Sequence, residues 1–451
     1  MSVRASDRSL TSPPPLGPPP APRVPRPERW TLANGLRVVA VPRVGVPQVV
    51  LRLGIPAGAA ADPAPYFGTA ALVGELLTEG TERYSAEALN ERLDALGAAV
   101  SVQTGHDLVE VEATLLSETL AEALPLFADL VARPSFPVEE TERVRAETLD
   151  ALIARLDEPA NVAEDALARA IYGEEHPYGR LCAGTEAGVA TVPREALHAF
   201  HRARYRPAGS FLVAASEFDI AELAARLEEA FAGWEGNAPA VSYPPVPTAP
   251  VHGGERLQLP WEEAAQAEIR IGGLGLPRRS PEWIPAAVAN YILGGSTITS
   301  RLGANLREEK GWTYGVRSAF GAHLHPGPWL AETAVDDEVS GAAVEEILGE
   351  LRRIVEQPVE AEELRRAKDA LILSLPRAFE TPARVVSRFF VAEAFALPED
   401  YWVRFPERVE AVTAEEVQRI ARGYFDPARL VRVVVGSGGP EPDPDLTLPE
   451  Q

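Results

Sequence analysis

Residues Gly68–Thr81 read GTAALVGELLTEGT, an amphipathic helix closed by a Gly-Thr turn. A helix of this kind can carry a metal site. Two imidazoles one turn apart lie on one face and grip a zinc ion, and a carboxylate between them deprotonates the metal-bound water. No histidine is present in this stretch. The seven histidines of the chain are His106, His176, His198, His201, His252, His323 and His325, and none forms a His-x-x-Glu-His or His-Glu-x-x-His spacing. His198 and His201, three apart on an expected helix, lack a nearby carboxylate and read as a solvated or packed helix face.

Outward from this helix, the order of elements repeats. Strands are expected at 36–41 and 49–54, and helices at 67–77 and 85–96, the latter capped by Ser85. Strands follow at 99–103 and 109–115, where VEVEATL alternates with one apolar face. Helices at 119–132, 139–156, 162–171 and 194–204, a strand at 210–215 and a helix at 220–231 close the unit. Residues 236–250, GNAPAVSYPPVPTAP, combine turn formers and prolines without periodicity and read as a linker.

The order then resumes with strands at 256–259 and 267–274 and helices at 282–293 and 300–309. Strands at 314–322 and 329–334 come next. Helices at 338–356, 361–375, 383–395 and 414–424 and a strand at 430–435 complete it. The expected fold is α+β: two homologous domains, each a mostly antiparallel sheet with helices on one face. The expected layout is a disordered Pro-rich lead-in (1–28), a first domain (29–235), the linker (236–250), a second domain (251–440) and a tail (441–451). The segment IRIGGLGLPR (269–278) reads as a glycine-bearing strand end at a sheet rim.

Composition narrows the class. The 451 residues suffice for two or more cores. Hydrophobic content of 46% without an apolar run of about 18 residues indicates a soluble globular chain rather than a membrane protein. A net charge of −23 opposes a nucleic-acid or anionic-membrane surface. Only Lys310 and Lys368 are lysines among 43 basic residues, a bias that points to a GC-rich, bacterial genome. The single cysteine, Cys182, excludes an intramolecular disulfide and a Cys-based zinc site. The N-terminus lacks the apolar centre of a secretory signal, so a cytoplasmic location is expected; a signal trimmed beforehand would leave the periplasm open. Gly294-Gly295-Ser296 is followed by no Lys-Ser/Thr, which excludes a Walker-type phosphate loop.

Four stretches together carry a family resemblance: the frame at Gly68, Thr69, Ala70, Gly80 and Thr81; YGEEHPYGRLCAGT (172–185); FHRARYRPAGSFLVAAS (200–216); and SRLGANLREEKGWTYGVRSAF (300–320). Over roughly residues 29–436 the chain resembles the insulinase/pitrilysin family of zinc peptidases. The family's His-x-x-Glu-His positions fall on Ala71, Gly74 and Glu75, so none of that trio is kept. Its third ligand, a glutamate, falls at about Ala151. Glu147 is nearby, but a lone carboxylate does not hold zinc.

The second half is closer to the family's pattern. Arg307 and Tyr314 match an Arg-Tyr pair that reaches substrate at the zinc site of another half or subunit. Such an Arg donates charge-assisted hydrogen bonds to a carbonyl or carboxylate, and the Tyr hydroxyl can steady a developing oxyanion. From spacing alone, Arg307 pairing with Glu308, Glu309 or another helix carboxylate and Tyr314 packing as a strand residue is the favoured reading; the surrounding match to the family reverses that order.

The resemblance implies a non-catalytic subunit of a heterodimeric zinc peptidase, binding no cofactor itself. Zinc would reside in a homologous partner that keeps His-x-x-Glu-His. Peptides would be the substrates, contacted in trans by Arg307 and Tyr314. The alternative is a structural or assembly protein of the same fold with no role in proteolysis; an active peptidase with a rearranged metal site ranks last.

Overall fold

Two strands near the centre of the first half are apolar at almost every position, which requires cover on both faces. They are β2 (Arg37–Pro42) and β6 (Phe211–Ser216), and β6 is buried along its whole length. With β1 (Glu28–Thr31), β3 (Gln48–Ile55), β4 (Ala99–Thr104) and β5 (Val109–Leu116) they form a six-stranded sheet in the order β1-β2-β6-β3-β5-β4. Only β2 and β6 run parallel; the other neighbours are antiparallel. The computed structural model describes residues 23–262 and 264–437. Most of the expected lead-in and the whole tail at 441–451 lie outside these residues, while Glu28 is already the first residue of β1.

The second half repeats this plan. Strands β7 (Arg256–Pro260), β8 (Gln266–Leu274), β9 (Val316–Phe320), β10 (Pro328–Asp336) and β11 (Val431–Gly436) form a sheet in the order β7-β11-β8-β10-β9. Its one parallel pair, β7 with β11, occupies the place of β2 with β6. The duplication expected from element order is thus a duplication of sheet topology, in a mixed α+β fold.

Each sheet has one face packed by helices of its own half. In the first half these include Thr69–Glu75, Leu120–Ala132, Arg194–Arg204 and Ile220–Phe231; Val111, Ala113 and Leu115 of β5 enter the same core as Leu124 and Phe127. The opposite faces are covered reciprocally. Helix Pro159–Tyr172 of the first half lies on β8 and β11, where Leu167 and Ile171 join Val431, Val433 and Val435. Helix Pro382–Ala394 of the second half lies on β3 and β6, with Phe390 against Phe211 at 5.0 Å between ring centroids. The continuous apolar runs are therefore explained by an exchange of helices between halves.

The segment 269–278 departs from its expected place, because β8 is interior, between β11 and β10. Its glycines admit close neighbours instead: a Cβ at Gly272 would meet the Trp329 carbonyl oxygen at 2.7 Å and the crossing Leu167 at 3.1 Å. Residues 236–250 contain no helix or extended strand, yet Tyr243 is anchored, its hydroxyl donating to Asp107 Oδ1 at 2.8 Å. Helices Glu186–Thr191 and Tyr401–Glu410 had no counterpart in the sequence reading; Pro406 inside the latter masks it. No helix among the described residues is long and apolar enough to cross a membrane.

Candidate functional site

The helix Thr69–Glu75 is held at its start by a carboxylate. Asp62 Oδ2 accepts from Gly68 N at 2.7 Å and Oδ1 from Ala70 N at 2.7 Å, while Gly68 takes the left-handed conformation, φ 111°. Burial raises the Asp62 carboxyl to about 6, against the opposing pull of those two bonds and of Arg180. The helix is thus well formed, packed against the edge strand β4 and the Arg194–Arg204 helix.

Its chemical positions do not fit a zinc ion. Ala71 offers a methyl group. Gly74 is buried, and a Cβ placed there would meet Thr104 Oγ1 at 2.4 Å, so the space beside it is filled by β4. Glu75 is the one possible ligand of the three. Its carboxyl is half-enclosed although the residue as a whole is exposed, and it is held above the usual range by burial first, then by Glu79 and Glu147. Across from it Ala151 is exposed on helix Val138–Arg155 and has no ligand atom. Glu147 is already engaged by Arg143 at 2.9 Å, and the same guanidinium reaches Glu79 and Glu140, each at 2.7 Å. Among the described residues no group of three or more His, Cys, Asp or Glu is placed to hold a metal ion.

His198 and His201 are used in packing. His201 is buried and its Nε2 donates to the Val131 carbonyl at 2.8 Å, and His198 packs on Phe136. The Cys182 thiol is pushed up to about 12, chiefly by burial, which leaves it unreactive.

The Arg-Tyr stretch has a different character. Residues 300–309 are not a plain α-helix; Gly303–Glu309 is a π-type turn, with Lys310 N donating to Asn305 O at 3.1 Å. Such turns occur frequently at functional sites. Arg307 sits in this turn, half-exposed, with Glu308 at 3.8 Å as its ion-pair neighbour. Tyr314 lies outside β9, which begins at Val316, and is 93% exposed. The expected strand start at 314 is therefore corrected. Thr313 Oγ1 accepts from Gly315 N at 3.0 Å, forming a turn that throws Tyr314 outward. Packing as a strand residue does not describe it. A cavity of about 290 Å³ opens beside this turn, lined in part by Thr297, Gly315, Arg270, Arg317 and Glu332.

One polar centre was not legible at all. Asp107, buried in the turn between β4 and β5, accepts from the Tyr178 hydroxyl at 2.7 Å, from the Tyr243 hydroxyl and from Leu324 N at 3.0 Å. It ties the first sheet, the segment between the halves and the β9–β10 connection to one carboxylate. His323 Nδ1 lies 3.8 Å away, and burial holds His106 and His323 below their ordinary values.

The comparisons agree with this architecture. The family profile described as "Insulinase (Peptidase family M16)" matches residues 37–185, and that described as "Peptidase M16 inactive domain" matches residues 191–371. A protein of Mycobacterium tuberculosis described as an uncharacterised zinc protease is 28% identical over 431 residues, covering 94% of this chain and 95% of the relative. A Bacillus subtilis protein of the same description is 24% identical over 416 residues, covering 91% and 98%. The crystal structure of a peptidase M16 inactive domain from Pseudomonas fluorescens superposes with a TM-score of 0.84 at 24% identity, covering 92% of this chain and 98% of that one. A putative M16-like peptidase from Alicyclobacillus acidocaldarius gives 0.78 at 22% identity, covering 91% and 98%. With both halves matched in order, and with two sheets of one topology, the chain belongs to the insulinase family of peptidases, family M16.

Proposed function

We propose that this chain is the non-catalytic, substrate-contacting subunit of a heterodimeric zinc metallopeptidase that degrades or processes peptides. The partner would be a homologous chain with an intact His-x-x-Glu-His helix, and Arg307 and Tyr314 would act at its zinc site in trans. One observation carries this reading. A tyrosine 93% exposed stands on an ordered turn beside a half-exposed arginine, while the chain's own zinc-motif positions hold Ala71, Gly74 and Glu75, with Ala151 at about the place of the third ligand. A large ring held in water by a fixed turn contributes little to folding and is available to a second molecule. The guanidinium would orient the peptide through a carbonyl or carboxylate, and the phenol would donate to the oxygen that gains charge.

The test is zinc content and peptide hydrolysis of the purified chain, alone and mixed with the zinc-motif homologue of the same genome. The expected result is turnover only in the mixture, lowered roughly tenfold to a thousandfold by Arg307→Ala or Tyr314→Phe. Stoichiometric zinc and turnover from the chain alone would overturn the reading. Mixture turnover indifferent to both substitutions would assign the chain a structural role.

A further inference from the structure

The turn that carries Arg307 is built around a buried amide. Asn305 is 7% exposed, and its Nδ2 gives one hydrogen to Glu346 Oε2 at 3.0 Å and the other to Glu350 Oε1 at 2.9 Å. Both glutamates lie on the helix Ser340–Glu356, and Glu350 is only 3% exposed. The Asn305 carbonyl meanwhile accepts the wide-turn bond from Lys310 N, and Trp312 N donates to Leu306 O at 3.0 Å. Lys310 returns to Glu346 at 3.1 Å and lies over the Trp312 ring. At the far end Thr333 Oγ1 donates to Thr313 Oγ1 at 2.9 Å and fixes the turn before Tyr314. The exposed pair thus stands between two buried polar clamps.

On the reading that Arg307 contacts substrate, we infer that Asn305 is a positioning residue for that contact. By holding residue 305 against Glu346 and Glu350 it keeps the turn wide, and the width sets the direction in which Arg307 leaves the helix. A regular α-helical turn would rotate every later side chain by one residue's worth, about 100°. The chemistry is specific to an amide: the two hydrogens meet two carboxylates, which neither a carboxylate nor a hydroxyl at 305 can reproduce.

Asn305→Asp tests this with almost no change of shape. It brings a third carboxyl against Glu346 and Glu350, faced by Lys310, Arg353 and Arg301, and only proton uptake relieves the repulsion. In the mixture with the zinc-motif homologue, kcat is expected to fall roughly a hundredfold at about pH 8, the scale of an ångström of misplacement. KM should move less than about threefold, because the loss is one of orientation. Activity should return as the pH is lowered to about 6, and Asn305→Asp with Glu350→Gln, which reverses the bond to residue 350 while Glu346 keeps Lys310, should restore part of it at the higher pH.

In the chain alone, amides of residues 310–312 should exchange about tenfold faster in Asn305→Asp, with the Ser340–Glu356 helix unchanged. Unchanged exchange, or a loss of kcat that neither acid nor the reversed pair restores, overturns the inference. An inert Arg307→Ala would instead remove the parent reading and this one with it. An inert Asn305→Asp beside a damaging Arg307→Ala removes only this one.

Discussion

Position 74 offers a test of whether the metal site is merely stripped of ligands or closed by packing. The family's carboxylate would stand there, and the chain has glycine. In a helix, Gly→Ala ordinarily gains about 0.5–1 kcal/mol. Here the new Cβ would lie 2.4 Å from Thr104 Oγ1, with Val102 Cγ1 next at 3.5 Å and Thr104 Cβ at 3.8 Å. Overpacking of that kind costs about 1–3 kcal/mol, so Gly74→Ala should destabilise the chain by about 1 kcal/mol despite its better helix propensity. Removing the hydroxyl leaves only ordinary contacts, so in a Thr104→Ala background the same substitution should stabilise by about 0.5–1 kcal/mol. The effect of Gly74→Ala is therefore opposite in sign in the two backgrounds, and the coupling of about 2 kcal/mol is well above the scatter of additive pairs. Urea unfolding midpoints of the four proteins measure it, provided the slopes agree. If Gly74→Ala stabilises equally in both backgrounds, Thr104 does not close the site. A side chain at position 74 would then meet no barrier from Thr104 at its Cβ.

Three further outcomes follow from the geometry. Arg307→Ala and Tyr314→Ala should leave the unfolding midpoint within about 0.5 kcal/mol of the parent, since Tyr314 is 93% exposed; a larger loss would show that these side chains support the fold. Asp107→Ala should cost on the order of 3 kcal/mol, because Tyr178, Tyr243 and Leu324 N lose a common buried acceptor; a midpoint unchanged by the substitution would disprove that seam. Acid should weaken the chain: burial holds His176 and His201 at about 4, and also lowers His106 and His323. The unfolded chain takes up protons near 6.5 that the folded one refuses, so this contribution is complete above about 6.5 and is lost as pH falls toward about 4. Asp62, raised to about 6, works in the opposite sense between its ordinary 3.8 and that value, and Glu75 and Glu110, raised chiefly by burial, join it, as three carboxyls against five lowered histidines once His198 is included. A urea midpoint higher at pH 5 than at pH 7 would contradict the balance.

The sequence disclosed those features that depend on neighbours along the chain. The alternation of VEVEATLL in β5, the Ser85 cap with its 3.3 Å bond to Ala88 N, and the helix Ala414–Tyr424 are local and were legible. The placement of the family's trio on Ala71, Gly74 and Glu75 rests on the framing residues alone. What escaped reading depends on contacts across the halves. The apolar run FLVAAS signals two covered faces, but not that Phe390 of the other half provides one cover. Asp107 stands in an unremarkable Gly-His-Asp turn, and only the fold brings Tyr178, Tyr243 and Leu324 to it. Likewise Asn305 reads as one polar residue in a helix, and the wide turn appears only once Glu346 and Glu350 face it. The strand expected from Tyr314 starts two residues later, at Val316, because the Thr313–Gly315 bond makes a turn there.

The two candidate regions share no packing residue, and this bears on how one chain can lack metal chemistry and still present the Arg-Tyr turn. Gly74 and Thr104 belong to the first core, with the Thr69–Glu75 helix and β4. Asn305, Glu346, Glu350 and Thr333 belong to the second half, held by the helix Ser340–Glu356 and by β10. Substitutions in one set leave every clamp of the other in place, so their effects are expected to add. What couples the regions is position alone. The exchanged helices Pro159–Tyr172 and Pro382–Ala394, together with the Asp107 centre, tie the halves into one frame. On the proposed function, a partner docking against that frame would meet Arg307 and Tyr314 at a fixed place, whatever stands at position 74. The chemistry of the first half can therefore be lost without disturbing what the second half presents, which is the arrangement a subunit that contacts substrate but does not cleave it requires.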